Sequence, residues 1–160
     1  MPNTRRTASP PELTPDPVTL VRHRADALYR AAIECCRQHD RAAKLHNGSE
    51  PDLEHTHVDA LCAMCDGSLA EMAEAYSAAA GDVHPANDEA WWHKANALWH
   101  ASREYCRHHA GCDALGRNVS AKHGAGQLAS MQMEYELEAS ALLGMRHAAE
   151  AYRKTRPELV

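Results

Sequence analysis

Proline constrains this chain most by where it is absent. After Pro17 the next prolines are Pro51, Pro85 and Pro157. Three long stretches therefore contain no ring to remove a backbone donor or clash with the preceding turn. The first three of these prolines also stand where a helix can begin: Asp16-Pro17, Ser49-Glu50-Pro51-Asp52 with the spacing of a capping box, and Asp82-Val83-His84-Pro85. Asn47-Gly48, Gly81 and Gly116-Arg117-Asn118 supply stops and turns. The pattern predicts helices over residues 17–46, 52–80, 86–112 and 119–155, with Gly124 and Gly126 weakening the start of the fourth. No alternating strand pattern competes. Short loops between long helices favour an all-α fold, an antiparallel up-down four-helix bundle. A single domain is expected over residues 17–155, between a flexible tail at 1–16 and a short tail at 156–160.

A chain of 160 residues can bury a sufficient core without disulfides or a structural metal. It has no apolar run of the roughly 18 residues that a membrane span needs. The net charge of −5 and the scattered Lys and Arg argue against nucleic-acid binding, which requires a basic face. Arg5-Arg6 is followed by Pro, Glu and Asp, where an export signal would place its apolar core. The expected compartment is therefore the cytoplasm, where thiols stay reduced. The 6 Cys and 12 His then need an explanation other than disulfide bridges.

Steps of three and four residues trace the stripe that each helix turns to its neighbours. In the first helix the stripe is Val21, Ala25, Leu28, Ala32, Cys35, His39 and Ala42. In the second it is His55, Val58, Cys62, Cys65, Leu69, Met72, Tyr76 and Ala79. The third gives Trp92, Ala95, Trp99, Ser102, Cys106 and His109. The fourth gives Leu128, Met131, Tyr135, Glu138, Leu142, Met145, Ala149 and Tyr152. Counted from loop midpoints at Ser49 and Gly116, the pairs Cys35-x-x-x-His39, Cys62-x-x-Cys65 and Cys106-x-x-His109 fall in the same half of the bundle. Each pair puts two donors on one helical face. Thiolate and imidazole together suit soft or borderline ions, so Cys35, His39, Cys62, Cys65, Cys106 and His109 are candidate ligands for zinc or copper. His55 with Asp59, and Glu104 with His100 and His108, have the spacing of carboxylates that orient an imidazole. Cys36 and Cys112 are either inert or extra ligands. His23, His46, His84 and His147 read as surface residues, and Trp91, Trp92 and Trp99 as core. Glu138 interrupts its stripe, and depth counting places it away from the Cys/His half, near Tyr76 and His93.

Cys-x-x-Cys in the second helix, with Glu104-Tyr105-Cys106-Arg107-His108-His109-Ala110-Gly111-Cys112 near the third loop, resembles the bacterial copper-storage four-helix bundles. That resemblance implies cuprous ions held along a Cys-filled core, and it carries over to Cys62, Cys65 and Cys106 as copper ligands. The chain departs from the pattern in having only 6 Cys, none of them in the fourth helix, and large aromatics in the other half. A di-iron carboxylate site would need Glu-x-x-His twice, and Glu54-x-x-His57 occurs once. The expected function is a small metal-binding bundle whose partner is the ion itself, with homodimerisation left open. A metal-dependent enzyme using the same site and a metal-free helical interaction module are the alternatives.

Overall fold

The computed structural model describes residues 15–47, 53–81, 83, 89–118 and 125–159. Among them stand four helices and no strand: α1 (Pro17–His46), α2 (Leu53–Ala80), α3 (Ala90–Asn118) and α4 (Ala125–Arg153). The α1 start follows from its sequence. The Asp16 carboxylate accepts the backbone N–H of Thr19 at 3.0 Å, and Pro17 fills the first turn, where its missing donor is not needed. At the other end of the first hairpin α2 stops at Gly81, whose positive φ favours glycine. The start expected around Pro51 lies outside the described residues, as do Pro85 and His84; α3 begins at Ala90 rather than 86, with Glu89 outside the helix.

The helices pack as a four-helix bundle. α1 lies mainly on α2 and α3 mainly on α4; the two hairpins close through α2 on α3 and α1 on α4, and α1 also meets α3 across the diagonal. Val21, Leu28, Leu69, Leu98, Met145 and Tyr152 form the fully buried centre. Burying apolar side chains of this size contributes about 1.5–3 kcal/mol each. The chain after α4 folds back on the bundle. Arg156 reaches Asp26 Oδ2 at 2.9 Å, Tyr152 donates its hydroxyl to Asp26 Oδ1 at 2.7 Å, and Leu159 is buried.

Two features of the third connection differ from expectation. α3 does not end at residue 112 but continues through Gly116 to Asn118, and α4 begins at Ala125 rather than 119. The midpoint of the connection therefore lies near residue 121, not at Gly116, which moves every α4 residue closer to the loop end. The inward stripe of α3 also rotates. On α3 the buried residues are Trp91, Ala95, Leu98, Ser102, Tyr105, His108 and Cys112; Trp92, Trp99, Cys106 and His109 form its half-buried flank. On α4 the carboxylates Glu134 and Glu138 turn inward and Tyr135 points out, 48% exposed.

Candidate metal centre

One turn below Cys62, α2 carries a buried carboxylate, Asp66, and both α1 and α3 converge on it. From α1, the Cys35 thiol donates to Asp66 Oδ1 at 3.2 Å, and His39 Nε2 stands 3.1 Å from the same oxygen. From α3, the Tyr105 hydroxyl donates to Oδ1 at 2.9 Å, while His109 Nε2 meets Oδ2 at 3.2 Å. The Tyr105 oxygen is also 2.7 Å from His39 Nε2. α4 completes the ring, because His109 Nδ1 meets Glu138 Oε1 at 2.6 Å. Cys35 and His39 are one turn apart on α1, so the i, i+4 step aims both at the same point on α2.

Among the described residues, Cys35, His39 and Asp66 bring one ligand atom each within 4.8 Å of one another. An ion about 2.0–2.3 Å from each of three tetrahedral ligands holds those ligands roughly 3.3–3.7 Å apart. The Asp66 separations from Cys35 and His39 are close to that spacing already. Sulfur, imidazole nitrogen and carboxylate oxygen are together a borderline donor set, and three protein ligands leave a fourth position open. The residues therefore fit a single ion.

The charges around this group are arranged by hydrogen bonds. Burial by itself would raise the Asp66 carboxyl, but the His39 hydrogen bond, the His109 charge and the Cys35 thiol hold it below the ordinary carboxylate range. His109 is pushed up, first by its hydrogen bond to Glu138 against the opposing effect of burial, then by the charge of Asp66. With both ring nitrogens aimed at carboxylates, the protonated form of His109, in which both nitrogens donate, is favoured. Glu138 is correspondingly lowered by His109, against burial, with help from a Cys112 hydrogen bond. The thiols go the other way. Burial and then the Asp66 charge hold Cys35 far above the ordinary thiol range. The same two causes lift Cys62 and Cys106 to about 11 each. Burial and the Glu138 hydrogen bond take Cys112 to about 12. Cys65 and Cys36 are raised too, each mainly by burial. None of the six is an activated nucleophile, since reactivity belongs to the thiolate.

Of the six sequence-derived ligands, Cys35 and His39 lie in the three-residue group. His109 touches Asp66, but its two nitrogens are engaged by carboxylates. Cys62, Cys65 and Cys106 surround Asp66 closely enough to feel its charge, yet none belongs to the group. Glu138 requires a correction: it is part of the cluster through His109, and the Tyr76 hydroxyl instead donates to Asn96 at 2.9 Å. The misplaced third loop midpoint accounts for that error. Asp59 pairs with His46 at 3.0 Å, whereas His55 Nε2 lies 3.3 Å from the Leu45 carbonyl. The Glu104–His108 pairing is present at 3.2 Å, and His108 Nδ1 also meets Glu134 at 3.0 Å. Glu54 and His57 are exposed on α2, away from any core iron site.

Sequence reasoning missed Asp66 and Tyr105. A step of three from Cys62 selects Cys65, and a step of four selects Asp66. The seam that forms is Cys62, Asp66, Leu69, Ala73 and Tyr76, which satisfies the same periodicity. A preference for apolar residues chose the wrong member of the pair. A groove of about 820 Å³ runs between α2 and α3, lined by Trp99, Arg103 and Cys106 among others; none of Cys35, His39 or Asp66 lines it. No helix among the described residues is long and apolar enough to cross a membrane. No family model, curated protein or solved structure matches the chain, so the likeness to copper-storage bundles rests on its helix and Cys pattern alone.

Proposed function

We propose that this bundle binds one thiophilic divalent ion, zinc, through Cys35, His39 and Asp66, as a small binding or regulatory protein of the cytoplasm. The observation that carries the reading is the convergence of three different donors from α1 and α2 on one buried point. His109 and Tyr105, both bonded to Asp66, would orient the carboxylate, as outer partners do in metal sites. Glu138 would fix His109 in turn. A carboxylate among the ligands favours zinc over cuprous copper, which prefers sulfur and imidazole. Copper would instead have to leave Asp66 and recruit Cys62, Cys65 or Cys106. With so few donors at the point of convergence, one ion rather than bulk storage is the expected load. The open fourth position is the feature that a metal-dependent enzyme would use, but the groove that could take a substrate does not reach the three ligands.

One observation favours a metal-free reading. Asp66 already accepts from Cys35 and Tyr105 and meets both imidazoles, so the cluster satisfies its own polar atoms. Intact-mass analysis under native conditions, on protein purified without chelator and offered zinc, separates the two. The metal reading expects one zinc on the wild type, and none on Asp66→Asn or Cys35→Ser. A wild type that takes up no zinc leaves the cluster as a buried hydrogen-bond network that pins the four helices together.

A further inference from the structure

Among the described residues, five large apolar side chains are exposed, and four of them, Met133, Tyr135, Leu137 and Leu143, lie on α4. At 3.6 residues per turn, Met133 and Leu137 share a stripe with Ser140, Ala141, Gly144, Ala148 and Ala151, while Tyr135 and Leu143 lie on other faces; Ala141 and Ala148 form the inner margin of the stripe, against the core. No Asp, Glu, Lys or Arg lies on that stripe. Met133 is 58% and Leu137 41% exposed, and Ser140 and Gly144 are exposed with them.

Gly144 calls for a reason outside the chain. Glycine is the poorest helix former after proline. At Gly111 a close neighbour explains it, because a Cβ there would run into the Glu134 carboxylate. At Gly144 a Cβ would meet nothing within 4 Å. Gly67 on α2 is equally open, but Glu71 and Glu74 continue its face. The face around Gly144 stays uncharged.

The stripe is complementary to itself. Its large residues lie toward the start of α4 and its small ones toward the end. The midpoint of Leu137 and Gly144, that of Met133 and Ala148, and that of Ser140 and Ala141 all fall between residues 140 and 141. A twofold axis at that point lays a second α4 antiparallel to the first. Leu137 then faces the open Gly144 of the other copy, knob against hole, and Met133 lies over the margin at Ala148. An isologous contact needs this self-matching of one patch, and closed twofold dimers are the commonest assemblies of identical chains.

We propose that two copies of this chain associate through α4 in an antiparallel, twofold pair centred between Ser140 and Ala141. The pairing is independent of whether the Asp66 cluster holds a metal. Sedimentation equilibrium of the full chain tests it, with circular dichroism to confirm that each variant keeps its helices. The wild type should sediment as a dimer. Leu137→Lys and Gly144→Glu, each an exposed position, should be monomeric at the same concentration. An equimolar mixture of these two variants should recover dimer, because the twofold sets the introduced lysine of one chain against the introduced glutamate of the other. A wild type still monomeric at millimolar concentration overturns the proposal. So does a dimer indifferent to both substitutions, or a mixture of monomeric variants that stays monomeric.

Discussion

His109, half-buried, sits between the buried carboxylate of Asp66 and the half-buried one of Glu138, and its protonated form offsets both. The pH consequence follows from the signs of the shifts. A raised histidine gives stability that is complete below its unfolded value of about 6.5 and is lost as pH rises through the folded value. The lowered carboxyls of Asp66 and Glu138 give stability that is complete above about 4.5 and is lost as pH falls through their folded values. The advantage of the wild type over Glu138→Gln in urea unfolding should therefore be largest between about pH 4.5 and 6.5 and narrow on either side. A constant difference across that range would contradict the charged His109. Cys35 makes a second prediction. Its thiol is held protonated by burial and by Asp66, so zinc must displace a proton to gain the thiolate. The apparent zinc affinity should rise about tenfold per pH unit between roughly pH 6 and 8. A pH-independent affinity would mean that Cys35 is not a ligand. At this scale the sequence was half legible: Cys35 and His39 stood out by donor type and i, i+4 spacing. Asp66 and Tyr105 did not, because each sits one position from a residue that satisfies the same period.

Helix phase and helix ends decide which of these residues can meet. α1 follows its apolar stripe closely, since Val21, Ala25, Leu28, Ala32 and Cys35 are all fully buried. α4 follows its stripe at Glu138, Met145, Ala149 and Tyr152 and departs from it at Tyr135, which is exposed while Glu134 turns in to His108. A window scored for hydrophobicity cannot anticipate that exchange, since the partner of Glu134 is on another helix. Gly111 leaves the space that the Glu134 carboxylate occupies. Gly111→Ala should push that carboxylate off His108, and losing the bond at about 0.5–1.5 kcal/mol offsets the better helix propensity of alanine. Gly67→Ala, in open space on α2, should instead stabilise by up to about 1 kcal/mol. Urea midpoints of the two variants check the contrast, and equal shifts of one sign would contradict the packing described at Gly111.

At the scale of the whole molecule, proline spacing, one cap and two long hairpins were enough to anticipate the four-helix architecture. The number of helices survives errors of several residues at their ends, which is why the fold was readable where the site was not. Depth is less forgiving. Moving the third connection from Gly116 to near residue 121 brings Glu138, expected far from the cluster, onto His109. In the proposed site the bundle would act as a frame, α1 and α2 supplying the ligands while α3 and α4 hold them in place through Tyr105, His109 and Glu138. That frame would present a single thiolate, that of Cys35, to one ion. Cobalt can replace zinc as a visible reporter, and each coordinated thiolate adds sulfur-to-cobalt charge-transfer absorption. The account predicts saturation at one cobalt per chain with absorption for one thiolate, abolished in Cys35→Ser and unchanged in Cys62→Ser, Cys65→Ser and Cys106→Ser. Absorption that survives Cys35→Ser, or that falls in any of the other three, would contradict it.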